Sequence, residues 1–103
     1  MPNFMKLMKQ AASMQKDMER VQGELAQKTI EFSAGGGAVT ATARGDGTLA
    51  GIKIDPKVVN PAEVDLLEDL VTAAVEGALT AAKEMAAKEL GKVTAGLNIP
   101  GLG

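Results

Sequence analysis

An apolar seam runs through the first 28 residues. Phe4, Leu7, Ala11, Met14, Met18, Val21 and Leu25 are spaced alternately three and four apart. That repeat lays one edge of a helix along a helical partner, and here it holds over about three heptads. Lys6, Lys9, Lys16 and Arg20 follow at offsets of three, seven and four, which puts them on the side away from the seam. The spacing predicts a helix from about Phe4 to Gln27, capped by Asn3, with one edge for packing and one basic edge for solvent. Gly23 is its weak point. A glycine inside a helix costs on the order of 1 kcal/mol against alanine, and it either admits a close backbone or is simply tolerated.

After Gln27 the period changes from helical to two. Thr29 to Ala34 alternates polar and apolar residues, and Val39 to Ala43 alternates again, as half-buried strands do. Gly35-Gly36-Gly37 and Gly45-Asp46-Gly47 are hairpin signals, because glycine and Asp-Gly pairs tolerate positive φ. A third strand is expected from about Thr48 to Ile54, with Ala50, Ile52 and Ile54 on one face. Asn60-Pro61-Ala62-Glu63 then reads as a helix start, with Asn60 as cap, Pro61 at the first position and Glu63 reaching back. Glu63, Asp65, Glu68 and Asp69 suit that helix's positive end. Leu67, Leu70, Val71, Ala74, Val75, Ala78 and Ala82 form its apolar stripe, and Gly91 is expected to stop it near Leu90. The fold class is therefore α+β: helix, three-stranded antiparallel meander, helix. We expect one domain over residues 1–92 and a partly mobile tail over 93–103.

Composition narrows the function. Among 103 residues there are two Phe and no Trp, Tyr, Cys or His. Without His or Cys the commonest general base and the commonest zinc ligands are missing, so no catalytic residue, metal site or cofactor site is expected. The carboxylate pairs of the second helix have no nucleophile beside them, and the acidic cluster is expected to stabilise a helix end. Gly35-Gly36-Gly37 lacks the GxxxxGK[ST] pattern of a phosphate loop and joins two strands. So few aromatics leave a thin core, which favours assembly about a two-fold axis. No stretch approaches the roughly 18 apolar residues of a membrane span, so a soluble intracellular protein is expected.

Charge is unevenly placed. Residues 1–28 carry five basic and three acidic groups, residues 29–60 three of each, and residues 61–103 three basic and seven acidic. A net charge of −2 therefore leaves room for a local polyanion contact. The stripe from Lys6 to Arg20 spans roughly 21 Å at 1.5 Å per residue, enough to follow several phosphates. No zinc-finger spacing, helix-turn-helix pattern or aromatic platform is present, so backbone and shape are expected to be read rather than base identity.

Five segments taken in order resemble a known family: Met5-Lys6-Leu7-Met8-Lys9-Gln10-Ala11, Ala34-Gly35-Gly36-Gly37, Ile52-Lys53-Ile54-Asp55-Pro56, Leu67-Glu68-Asp69-Leu70, and Gly96-Leu97-Asn98-Ile99-Pro100-Gly101. The chain resembles the bacterial YbaB/EbfC nucleoid-associated family over nearly its whole length. The resemblance implies an α-β-β-β-α protomer and a tweezers-like homodimer whose helices project from a body of sheets. It also implies a non-enzymatic protein of the cytoplasm and nucleoid that binds double-stranded DNA with little sequence preference. A role in nucleoid organisation, gene expression or DNA repair is implied with it. Candidate DNA-binding residues are Lys6, Lys9, Lys16 and Arg20 on the first helix, with Lys88 and Lys92 near the end of the other projecting helix. The alternative is a protein-interaction adaptor whose seam or acidic helix recruits recombination or replication proteins.

Overall fold

The computed structural model describes residues 3–95. Helix α1 spans Phe4–Gln27, strands β1, β2 and β3 span Thr29–Ala34, Val39–Arg44 and Leu49–Ile54, and helix α2 spans Val64–Ala95. Two short 3-10 turns, Pro56–Val58 and Pro61–Glu63, lie between β3 and α2. Asn3 caps α1 as expected, its Oδ1 accepting from the Lys6 N–H at 3.2 Å. Asn60 caps the second turn, its Oδ1 accepting from the Ala62 N–H at 3.0 Å. The α-helix proper starts at Val64, because Pro61–Glu63 close as a tighter turn first.

The sheet is antiparallel in the order β1-β2-β3. Gly35, Gly36 and Gly37 all have positive φ, a conformation that costs glycine little and other residues much, so this triplet is the first hairpin turn. Every second residue of β2, namely Val39, Ala41 and Ala43, is buried, and all three meet Ala74, Ala78 and Ala82 of α2 in one cluster. Ile30, Ala34, Leu67, Leu70, Val71, Val75 and Leu79 surround it. A helix row at i, i+4 and i+8 lies along one face, and methyl side chains there let α2 sit close on the strand. One further close approach involves Gly77: a Cβ there would run into the Phe32 ring.

Two expectations need correction. In β3, Ile54 faces Val39 and Ile52 faces Ala41, but Ala43 faces Leu49. The ladder is irregular beside Thr42 and Ala43, which leaves Ala50 as the extra residue of a bulge. Leu49, rather than Ala50, therefore shares the row of Ile52 and Ile54. Second, α2 does not stop near Leu90 at Gly91 but runs to Ala95, so Val93, Thr94 and Ala95 are helix rather than tail. Gly91 is open to solvent, with nothing within 4 Å of where a Cβ would lie, and Val93 beyond it is half-buried beside α1. The rest of the expected tail, from residue 96, lies outside the described residues. The Gly45-Asp46-Gly47 turn forms as expected, the Gly47 N–H donating to the Arg44 carbonyl at 2.9 Å, and Gly45 is a close contact as well: a Cβ there would come 2.7 Å from the Leu25 carbonyl oxygen, where α1 reaches the sheet.

The molecule is 73 Å long and only 24 and 16 Å across. Its body is the sheet with the first part of α2. Its arm is α1 with the last turns of α2 laid against it. Among the described residues no helix is long and apolar enough to cross a membrane.

Candidate nucleic-acid interface

The seam and the basic stripe diverge as the sequence predicts. Val21 and Leu25 are 5% and 3% exposed, Met14 and Met18 are half-buried, and Leu7 and Phe4 are 55% and 71% exposed. Packing thus fades toward the free end of α1. A groove of about 510 Å³ opens between the helices, lined by residues including Gln10, Met14 and Val21 of α1 and Glu89, Lys92 and Val93 of α2.

Lys6, Lys9, Lys16 and Arg20 are all exposed on α1, but they are not equivalent. Arg20 Nη1 donates to Glu24 Oε1 at 3.0 Å, and its Nη2 lies 3.9 Å from Asp17 Oδ1. Its charge is therefore partly neutralised within its own helix. Lys6, Lys9 and Lys16 form no ion pair among the described residues. On α2, Lys88 is exposed and likewise unpaired there, whereas Lys92 Nζ donates to Glu89 Oε1 at 3.2 Å. Among the described residues the six candidates thus split into four cations without an ion pair and two engaged ones.

Glu89 joins the two helices, and sequence reasoning missed it. Besides Lys92, its Oε1 lies 3.8 Å from Lys28 Nζ, just beyond the end of α1. The Lys92 hydrogen bond, helped by the Lys28 charge, holds the Glu89 carboxyl below the usual glutamate range. The Glu89–Lys92 half of this node follows the helical i, i+3 rule. The Lys28 half carries no local signal. A second carboxyl held low is Asp46, which accepts from the Thr48 hydroxyl and N–H and fixes the β2–β3 turn.

Among the described residues no group of His, Cys, Asp and Glu side chains could hold a metal ion. None of the described polar or charged residues is buried. The arrangement presents cations along a helix, which suits attraction of phosphates.

The sequence profile of the YbaB/EbfC DNA-binding family matches residues 1–97. A nucleoid-associated protein of Alkaliphilus metalliredigens is 52% identical over 101 residues, covering 98% of this chain and 89% of that protein. One of Acetivibrio thermocellus is 54% identical over 101 residues, covering 97% and 89%. Among solved structures, the uncharacterized protein HP0035 from Helicobacter pylori superposes with a TM-score of 0.78 at 19% identity, over 92% of this chain and 99% of that one. That last likeness concerns the fold alone.

Proposed function

This chain belongs to the YbaB/EbfC DNA-binding family, and on that premise we propose that it binds duplex DNA as a homodimer, with little sequence preference, in the cytoplasm at the nucleoid. The observation that carries the reading is the row of free lysines, Lys6, Lys9 and Lys16, on the outer edge of the arm. Lys88 adds to it from α2. Arg20 and Lys92 contribute once phosphates compete with Asp17, Glu24 and Glu89 for them. Cations of this kind displace counterions without reading bases.

The dimer is supported by what the protomer leaves bare. Leu49, Ile52 and Ile54 lie on the same side of the sheet as the core, yet remain 39%, 42% and 39% exposed. Only Val39 is both large and fully buried among the described residues. A second copy that covers this edge of the sheet enlarges a core too thin by itself.

The test is fluorescence anisotropy with unrelated duplexes over a salt series, with protein mass measured in the same buffers. Two copies of Lys6, Lys9 and Lys16 meeting about six phosphates predict roughly a 10³-fold loss of affinity between about 50 and 200 mM salt. Lys9→Glu with Lys16→Glu should cost at least about 100-fold at the lower salt. Undiminished affinity in that double variant would sink the residue assignment. No binding by the parent chain, with a protein partner still recruited, would favour an adaptor that serves recombination or replication.

A further inference from the structure

The chain has only two aromatic side chains, and both reach the surface: Phe4 is 71% and Phe32 44% exposed. Neither belongs to the buried cluster. Phe32 sits on the edge strand β1, its ring so close to Gly77 of α2 that a Cβ there would collide with it. A groove of about 530 Å³ opens beside the ring, lined by Ala73, Gly77, Thr80 and Ala81 of α2. Glu76 and Glu84 also border it, both exposed and without an ion pair among the described residues. The groove is on the β1 side of α2, whereas Leu49, Ile52 and Ile54 are on β3, at the opposite edge of the sheet. A partner that covers β3 therefore leaves the groove open.

The tip of α1 has the complementary chemistry. Phe4, Leu7 and Met8 share one face of the helix and are exposed. Lys6 and Lys9, exposed as well, have no ion pair among the described residues. Aromatic and thioether side chains pack well on an aromatic ring, and two lysines can meet two glutamates. The tip cannot reach the groove of its own chain. The end of α2 meets α1 at Gln10 and Met14 through Val93. From Val93 back to Gly77 is roughly 24 Å along α2, and Phe4 lies farther out in the other direction.

We infer that the α1 tip of one copy docks in the Phe32 groove of another, with Phe4 and Met8 against the ring and Lys6 and Lys9 against Glu76 and Glu84. The two surfaces differ, so the contact is head-to-tail and repeats from copy to copy. It is smaller than the roughly 1,200 Å² of a stable interface, and its dissociation constant is expected on the order of 100 μM. Duplex phosphates and groove carboxylates draw on the same two lysines, so DNA competes with it.

The test needs no DNA, so it stands apart from the DNA-binding reading. Sedimentation velocity at about 50 mM salt, where charge contacts are weakly screened, should show species that grow beyond the smallest one as concentration rises. Lys6→Glu with Lys9→Glu reverses the tip, and Glu76→Lys with Glu84→Lys reverses the groove. Each variant alone should associate at least about tenfold more weakly than the parent. An equimolar mixture should recover the parent's association, because reversed tips then meet reversed grooves. A groove variant that associates like the parent, a mixture as weak as its parts, or a parent that never grows would overturn the inference. The chain has no Cys, so introduced thiols report the direction of docking. Mixed Met5→Cys and Thr80→Cys chains should join by a disulfide, read by non-reducing intact mass, at least about tenfold faster than Met5→Cys with Lys53→Cys on β3. Equal rates, or Met5→Cys chains that pair faster with each other than with Thr80→Cys, would place the tip elsewhere and count against it.

Discussion

Between Ala74 and Ala82, the fully buried contacts of α2 with the sheet are side chains of a single carbon, packed against Val39, Ala41 and Ala43, with Val75 and Leu79 at the margin. Between Glu89 and Val93 it meets α1 through charged side chains around a partly open groove. The same helix thus makes two kinds of contact. In the body, tolerance is set by volume: methyl groups hold helix and strand close, and no room remains. In the arm, contact is held by Val21, Leu25 and the Glu89 node, and long side chains can adjust. A helix that anchors at one end and yields at the other can hold its fold while it presents cations to an uneven polyanion.

The sharpest way to break this contrast is to add the same bulk to both regions. Ala78→Leu should cost about 2–3 kcal/mol through overpacking and lower the melting temperature by roughly 10–20 °C. Ala12→Leu, on the exposed side of α1, should stay within about 0.5 kcal/mol. If calorimetry gave similar losses for both, the arm would be packed as tightly as the body. A smaller effect of opposite sign is expected at Gly23, where nothing lies within 4 Å of a Cβ position. Gly23→Ala should gain about 0.5–1 kcal/mol from helix propensity; a loss instead would place another chain against that point.

The smallest effect should appear with pH. Glu89 titrates lower in the folded chain than its ordinary value because Lys92 and Lys28 favour its charged form. Its contribution is therefore present above the unfolded glutamate pKa, about 4.3, and is lost as pH falls through the lower folded value. Methyl NMR shifts of Val21 and Val93 should move in this acid range, and Glu89→Gln should flatten that response. The β2–β3 turn, held by Asp46, should keep its own acid transition in the variant. Loss of both transitions in Glu89→Gln would mean that arm and body are not separable.

Much of this architecture was legible because periodicity is local. The switch from a 3.6 to a 2 repeat at Lys28 marks the first helix and strand, and Asn3 and Asn60 mark the caps. The basic stripe was legible for the same reason. Arg20's engagement follows the helical spacing as well, since Asp17 and Glu24 stand three and four residues away. Gly91 misled because a glycine ends a helix only when nothing beyond it gains from staying helical. Here Lys92 bonds Glu89 and Val93 packs beside α1. The Lys28–Glu89 contact was invisible, since it joins residues about sixty positions apart with no pattern between them. The Ala50 bulge was invisible for a related reason: it exists only as a mismatch between two strands.

That bulge also bears on how the gene can change. Side chains in a strand alternate, so losing one codon inside β1 or β2 would turn the rest of the strand inside out. Ala50 is already the supernumerary residue, with Leu49 and Gly51 facing consecutive partners across it. Deleting its codon would restore a regular ladder and still leave Leu49, Ile52 and Ile54 on the inner side. Among the described strands, β3 at Ala50 is the place where a lineage can shorten the chain by one residue without rewriting the rest.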